Sequence, residues 1–187
     1  IIMVGEIRDE ETANMAIHSS MTGHLVLSTL HTNDAPGAIP RFIDMGIEPF
    51  LLASTLKLAI AQRLVRRLCN DCKQTQEVDK AAEKLIEKQM TELGVATDEI
   101  DKWKKITLHK PVGCARCGNS GYKGRVGIYE MIQVDDKVRE LIVDNVPGHE
   151  LRKAMIEQGF LPMFINGLRL INDGMTTLEE VMRVAQE

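Results

Sequence analysis

Residues 1–33 read IIMVGEIRDEETANMAIHSSMTGHLVLSTLHTN, and their alternation of apolar and polar segments sets the predicted fold class. Residues 1–4 and 25–30 are short apolar runs, which are typical of buried strands. Between them, Asp9 is a good N-cap for a helix, and Gly23 can end that helix in a left-handed turn. A strand, a helix and a second strand within about thirty residues predict a βαβ unit, and therefore an α/β fold with a parallel sheet.

A charged or titratable side chain follows each of these predicted strands. Glu6 comes just after the first strand and His31 just after the second. Because ligands bind at the carboxyl ends of parallel strands, the two side chains are expected to converge on one cleft. A carboxylate there can polarise water against a phosphoryl group, and a histidine can hydrogen-bond a phosphate. The alternatives are a strand end turning into solvent and a structural histidine, the role that suits His24.

Two segments resemble a known family. Residues 5–12, GEIRDEET, resemble the Walker B segment of the bacterial secretion ATPase superfamily, and residues 22–33 resemble its His box. These proteins are the hexameric motors of type II secretion and type IV pili. The resemblance continues through most of the chain, in residues 41–46, 61–64 and 177–183 and in the cysteine pairs.

The resemblance implies a fold, ligands and site residues. It implies the C-terminal part of a RecA-like P-loop ATPase core that uses ATP and Mg²⁺. It assigns Glu6 to the magnesium and the activation of water, and His31 to a contact with the γ-phosphate. Arg63 is expected to face the nucleotide or a neighbouring subunit, although an exposed basic helix end would give the same pattern.

One element of such motors is missing from the 187 residues: no G-x-x-x-x-G-K-S/T segment occurs. Without the backbone cradle and lysine of that loop, phosphate affinity should be very low. The chain also opens within a predicted strand and lacks an initial Met. We therefore interpret it as a fragment that is inactive alone, from a protein that hydrolyses ATP when intact.

Four cysteines form two C-x-x-C pairs, Cys69 with Cys72 and Cys114 with Cys117. Two such pairs can complete a closed tetrahedral Cys₄ site for Zn²⁺, whose role is structural because no coordination position stays open. Free thiols and a redox pair are the alternatives. The family resemblance supports zinc, and it favours an assembly or secretion motor over a retraction motor, which typically lacks this tetracysteine.

The motifs and the composition along the chain predict three regions. These are a core part (1–68), a tetracysteine zinc subdomain (69–134) and a small helical C-terminal region (135–187). Within the first region, Pro49 should begin a helix through about Leu68, because apolar residues recur there at every fourth position. The Lys/Glu-rich residues 73–105 predict a solvated helical excursion.

Composition narrows the functional classes. The net charge of −4 and the single Trp argue against a zinc-ribbon nucleic-acid binder, which usually shows a basic surface. No apolar run approaches the roughly 20 residues of a membrane span, and four cysteines without a secretory signal favour a reducing compartment, the cytoplasm. The resemblance implies a homo-hexamer at the inner membrane, with membrane-embedded components as partners. The alternative is a zinc-stapled protein-interaction module without nucleotide chemistry.

Overall fold

The predicted βαβ unit is present in the structure, a computed structural model that describes residues 1–185 and all of their side chains except that of Asp98. Strands β1 (Ile2–Met3) and β2 (Val26–Leu27) pair in parallel. Helix α1 (Glu10–Met21) connects them, and its N-cap Asp9 accepts a hydrogen bond from the Thr12 backbone N–H at 2.8 Å. The N-cap prediction and the parallel pairing are both confirmed. The prediction that the two strands are buried is wrong, since Met3 is 79% and Leu27 46% exposed. In the described residues this sheet consists of β1 and β2, and it leaves these side chains uncovered.

Further helices and strands follow along the chain. They are α2 (Ala38–Asp44), α3 (Pro49–Thr55), β3 (Leu58–Leu68), β4 (Gln74–Gln76), α4 (Lys80–Glu92), α5 (Thr97–Trp103), β5 (Leu108–Lys110), β6 (Tyr122–Gln133), α6 (Asp136–Val143), α7 (Gly148–Glu157), α8 (Met163–Asn172) and α9 (Leu178–Ala185). Strand β3 pairs with β6, and β4 pairs with β5 in antiparallel fashion. Residues 125–132, RVGIYEMI, have a sequence that resembles a strand, and they lie within β6. The helices expected in the C-terminal region are present as α6 to α9.

The helix predicted from Pro49 to Leu68 is wrong. Pro49 does begin a helix, but α3 ends at Thr55 and the following residues form strand β3. A spacing of four residues is also a multiple of two, so it places side chains on one face of a strand as well as of a helix. In β3 the buried residues are Ala61, Val65 and Leu68. Ile60 and Leu64, which belong to the apolar repeat interpreted as a helix face, lie on the exposed side of the strand.

Strands β3 and β6 each carry the chain from one compact unit to another. The first unit contains Ile1–Ala61 and Met131–Phe160, and the second contains Gln62–Glu130 and the described residues from Leu161 onward. Both units are therefore discontinuous in sequence. The three consecutive regions divided at residues 68 and 134 differ from these units, because boundaries drawn from composition follow the chain and not its contacts. The division of the chain into these three regions remains a prediction.

In the first unit, helices pack beneath the elements that carry Glu6 and His31. Helix α3 contacts both α1 and α6. The buried side chains of these helices include Ile17, Leu52 and Ile142. This packing connects α1 of the βαβ unit through α3 to α6.

In the second unit, the Lys/Glu-rich stretch contributes to a hydrophobic core. The helices predicted within residues 73–105 are confirmed as α4 and α5. However, Ile86 and Met90 of α4 are fully buried against α8 and α9, while Lys84 and Lys88 face the solvent. The stretch is thus amphipathic, and only one of its faces is solvated as predicted.

A buried carboxylate joins α9 to β3 in the second unit. Glu180 is 2% exposed and accepts hydrogen bonds from the Arg66 backbone N–H at 2.8 Å and from its guanidinium at 2.7 Å. Arg183 donates a third bond at 3.1 Å. The sequence predicts a capping box between Thr177 and Glu180, and half of it forms: the Glu180 N–H lies 3.4 Å from the Thr177 hydroxyl. Arg66 and Arg183 bind the carboxylate that the other half of the box would use.

This arrangement predicts a loss of stability in acid. Burial raises the pKa of Glu180, but the hydrogen bonds from Arg66 and Arg183 outweigh it and lower that pKa from 4.5 to about 2. Because the folded-state pKa lies below the ordinary value, the stabilisation is present above pH 4.5 and is lost as the pH falls toward about 2. At pH 7, Glu180→Gln should lower the free energy of unfolding of the full-length protein by about 2 kcal/mol in urea titrations.

The matched control is Glu179→Gln, which removes the same charge from the exposed neighbouring position. It should leave the unfolding midpoint unchanged. Equal midpoints for the Glu180 variant and the wild type would show that the buried ion pair adds no net stability.

Candidate functional site

Glu6 and His31 meet at the carboxyl ends of the paired strands. A parallel bridge joins Ile7 to Leu30, so the residues that precede and follow this bridge lie side by side. The Glu6 carboxylate contacts His31 Nε2. The Glu6 side chain is 22% exposed and that of His31 is 83% exposed, so the histidine faces the solvent. The strand order thus brings the two predicted site residues together, as expected.

Thr29 and Arg8 hold Glu6 in place, and neither received a role from the sequence. The Thr29 hydroxyl donates to the Gly5 carbonyl at 2.8 Å, and the Ile7 N–H donates to the Thr29 carbonyl at 3.0 Å. Thr29 therefore fixes the backbone on both sides of Glu6. Arg8 Nε donates to the second carboxylate oxygen of Glu6. The two-residue spacing of Glu6 and Arg8 is the signal that could have suggested a shared side of an extended segment.

The segment after His31 is organised around Asp34. The Thr32 hydroxyl donates to the Asp34 carbonyl at 2.9 Å, and the Gly37 N–H donates to the Asp34 carboxylate at 2.6 Å. The other carboxylate oxygen pairs with Arg152 of α7. In sequence, Asn33 and Asp34 are typical N-caps for the helix that follows. However, α2 begins only at Ala38, because Asp34 first closes a turn onto Gly37.

The remaining histidine and arginine candidates lie in different settings. His24 Nδ1 lies 3.1 Å from the Thr22 hydroxyl and 3.2 Å from the Ser19 carbonyl, consistent with a structural role at the end of α1. Arg63 lies on strand β3 in the second unit, not at a helix end, and its guanidinium donates to the Gln62 carbonyl at 3.2 Å. The predicted contact of Arg63 with nucleotide or a neighbouring subunit remains a prediction.

The four cysteine sulfurs form one cluster in the second unit. Cys69 and Cys114 Sγ lie 3.9 Å apart, Cys72 and Cys117 Sγ 3.9 Å apart, and Cys114 and Cys117 Sγ 3.7 Å apart. Sulfurs placed about 2.3 Å from a central zinc ion in a tetrahedron would be about 3.8 Å from one another. All four thiols are free. Donor set and spacing thus fit a tetracysteine metal site.

Backbone N–H groups already point at one of the sulfurs. The N–H groups of Cys114 and Gly121 donate to Cys117 Sγ at 3.2 and 3.3 Å. Burial raises the pKa of Cys117, but these two bonds prevail and lower it to about 6. Burial raises the pKa of Cys72 to about 11. A divalent metal would favour the thiolate form of every ligand.

Two glycines allow the second cysteine pair to turn tightly. Gly113 has φ +102°, and a Cβ there would lie 2.7 Å from the Asn119 carbonyl oxygen. Gly121 has φ +76°, and a Cβ there would lie 2.4 Å from Pro111 Cβ. Larger residues would strain both turns. Across the outside of the cluster, Arg116 pairs with Asp71 at 2.9 Å and links the two knuckles.

Within the described residues, no helix has the length and apolar character needed to cross a membrane.

Comparisons with known proteins give a consistent result. Residues 1–183 match the family described as Type II/IV secretion system protein. The type IV pilus assembly ATPase PilB of Myxococcus xanthus is 47% identical over 97% of this chain and 31% of its own length. The type II secretion system ATPase E of Vibrio cholerae is 46% identical over 100% of this chain and 35% of its own length. The chain thus spans about a third of these relatives.

Solved structures show the same fold. The pilus retraction motor PilT with bound ADP aligns with a TM-score of 0.62 and 23% identity, over 100% of this chain and 39% of its own. The ATPase DotB of Yersinia pseudotuberculosis aligns with a TM-score of 0.63 and 18% identity, over 99% of this chain and 36% of its own. At these identities the likeness establishes the α/β fold alone. The sequence match, which extends over both Glu6 and His31 and all four cysteines, decides the family: this chain belongs to the type II/IV secretion system proteins.

Proposed function

We propose that this chain is part of an ATP-hydrolysing motor of type IV pilus assembly or type II secretion, and that it supplies one wall of a RecA-like nucleotide site. One observation carries the proposal: the contact between Glu6 and His31 at the carboxyl ends of two parallel strands. Two polar groups converge there at the place where α/β sheets bind ligands, in a chain whose relatives are named ATPases.

The two side chains have different roles in the proposed hydrolysis. A water molecule attacks the γ-phosphorus, Glu6 accepts the proton of that water, and ADP leaves with the bond electrons. His31 Nε2 donates a hydrogen bond to the γ-phosphate, where charge develops as the bond breaks. Glu6 would contribute to holding the Mg²⁺ that accompanies ATP, because carboxylate oxygens are ligands that Mg²⁺ prefers, and the bound ion would neutralise phosphate charge. Arg8 and Thr29 orient Glu6.

ATP binding needs a phosphate-binding loop, which the 187 residues do not contain. The isolated chain is therefore inactive, and the nucleotide site is complete in the full-length protein. The proposal includes a homo-hexamer in the cytoplasm at the inner membrane, with membrane components of the pilus or secretion machine as partners. The names of the relatives as pilus assembly and secretion ATPases support the assignment to a pilus or secretion machine.

Zn²⁺ is the metal that we propose for Cys69, Cys72, Cys114 and Cys117. Four thiolates form a closed shell, so the ion has a structural role and no open position for water. Bound by these four residues, the ion would connect the segment after β3 to the segment before β6, which lie 45 residues apart in sequence. A zinc-stapled interaction module without nucleotide chemistry is the alternative function, and it leaves the contact of Glu6 with His31 unexplained.

The role of His31 is tested by His31→Ala in the full-length protein. Loss of the γ-phosphate contact should lower kcat for ATP hydrolysis by about 10- to 100-fold. The affinity for MgADP, which lacks that phosphate, should change less than about twofold. Phosphate release and calorimetric ADP titration measure the two quantities.

His149→Ala is the control, because the side chain of His149 is equally exposed and lies on α7. It should retain wild-type kcat. A His31 variant with wild-type kcat, or one that loses ADP as well as ATP binding, would remove the proposed γ-phosphate contact.

A further inference from the structure

His31 begins a segment without regular secondary structure. Residues 31–37 connect the bridge at Leu30 to helix α2. Because 83% of the His31 side chain is exposed, packing does little to fix it. Its position therefore depends on the backbone of this segment. The hydrogen bonds of Thr29 fix the backbone before His31, and the contacts of Asp34 fix the backbone after it.

Arg152 lies much further from Asp34 in sequence than Thr32 and Gly37 do. Thr32 and Gly37 belong to the same segment, whereas Arg152 comes from α7, 118 positions further along the chain. A bond within the segment shapes its turn. A bond from a separate helix fixes where that turn lies relative to the rest of the first unit.

Helix α7, which carries Arg152, is anchored in the first unit by buried side chains. Its residues Leu151 and Met155 are buried in the first unit, on either side of Arg152 in sequence. A Cβ at Gly148, the first residue of α7, would lie 4.0 Å from Pro40 of α2. The Arg152 and Asp34 side chains are 27% and 29% exposed, so solvent screens their pairing less than that of a fully exposed pair.

We propose that Arg152 is a positioning residue: by holding Asp34 it fixes residues 31–37 and thereby places His31 beside Glu6. What His31 then does to the γ-phosphate rests on the proposed function. The contact also links α7, an element of the C-terminal part of the chain, to the strand ends that carry the site. A shift of α7 would move the His31 segment, which gives the motor a route from helix movement to hydrolysis rate.

The proposal predicts a specific kinetic pattern for Arg152→Met in the full-length protein. A displaced His31 should lower kcat for ATP hydrolysis by about 3- to 20-fold, because small errors in position are costly in the transition state. MgADP affinity should stay within about twofold. Arg152→Lys, which keeps the charge, should recover most of the lost rate. Hydrogen exchange of the backbone N–H groups in residues 31–38 should quicken in the Met variant.

Two further variants separate this role from general damage. Lys153→Met removes the same charge from the exposed neighbouring position of α7 and should change neither the rate nor the exchange. Asp34→Asn keeps an oxygen for the Gly37 N–H but loses the ion pair, so it should match Arg152→Met. The double variant should be no slower than either single variant, because both changes break one contact.

The outcomes are distinguishable from those of the proposed function. If the wild-type protein hydrolyses no ATP, the proposed function fails, and the exchange of residues 31–38 alone decides the role of Arg152. Unchanged exchange in Arg152→Met overturns the inference in either case. A wild-type kcat in an active Arg152→Met protein also overturns the inference. A fall in MgADP affinity and thermal stability together with the rate overturns it as well, because that result would indicate a purely structural role.

Discussion

Glu6→Gln in the full-length protein is expected to lower kcat for ATP hydrolysis by about 100- to 1,000-fold. Glutamine keeps the size of the side chain but accepts no proton from the attacking water. Loss of the negative charge also removes repulsion toward the phosphates, so ATP should bind as tightly as before or more tightly. Phosphate release gives the rate, and equilibrium binding of ATP with Mg²⁺ gives the affinity.

Glu157→Gln is the matched control for the loss of a carboxylate. Glu157 is an exposed residue at the end of α7 in the same unit, and its replacement should leave kcat unchanged. A comparable fall in both variants would attribute the effect to net charge and not to a general base. Weakened ATP binding in Glu6→Gln would indicate that Glu6 serves ground-state binding instead of catalysis.

If the four cysteines bind zinc as proposed, Cys69→Ser should release the ion and loosen residues 69–125. Cys69 is buried beside the other sulfurs. A serine hydroxyl binds zinc poorly, and the remaining three thiols would not make up for the lost ligand. Because the binding energy of a structural zinc ion is also folding energy, the segment should lose protection from hydrogen exchange. Metal analysis should fall from about one zinc per chain in the wild type to a small fraction of that in the variant.

The control for this change is Arg116→Ala. It removes the exposed ion pair with Asp71 that spans the two knuckles and leaves all four sulfurs in place. This variant should keep its zinc and the protection of residues 69–125, since exposed ion pairs contribute little. Unchanged metal content in Cys69→Ser would rule out the tetracysteine zinc site.

The elements that the sequence predicts best are those with local signals. Asp9 caps α1, because a capping side chain and the N–H group that it binds lie within a few residues of each other. The strands on either side of α1 pair in parallel, because a helix connects them. The stretch after Thr55 was predicted as helix because its four-residue repeat suits both structures. Its strand conformation depends on pairing with β6, more than fifty residues away, which no local pattern reveals.

The site residues show the same contrast between local signals, which the sequence reveals, and long-range contacts, which it does not. Glu6 and His31 could be found because each directly follows an apolar run, and the two runs are neighbours in the sheet. The pairing of Asp34 with Arg152 joins residues 118 positions apart, and the sequence around neither residue predicts it. Likewise the Glu180 carboxylate, predicted to close a local capping box, binds Arg66 across 114 positions. Long-range polar contacts depend on the folded arrangement of the chain.

The most direct test of the central claim is phosphate release from ATP by the full-length protein with Mg²⁺, measured beside its Glu6→Gln variant. Steady turnover by the wild type, with ATP bound but scarcely hydrolysed by the variant, is the predicted result. Absence of turnover in the wild type, or equal turnover in both proteins, would contradict it and would favour a zinc-stapled interaction module.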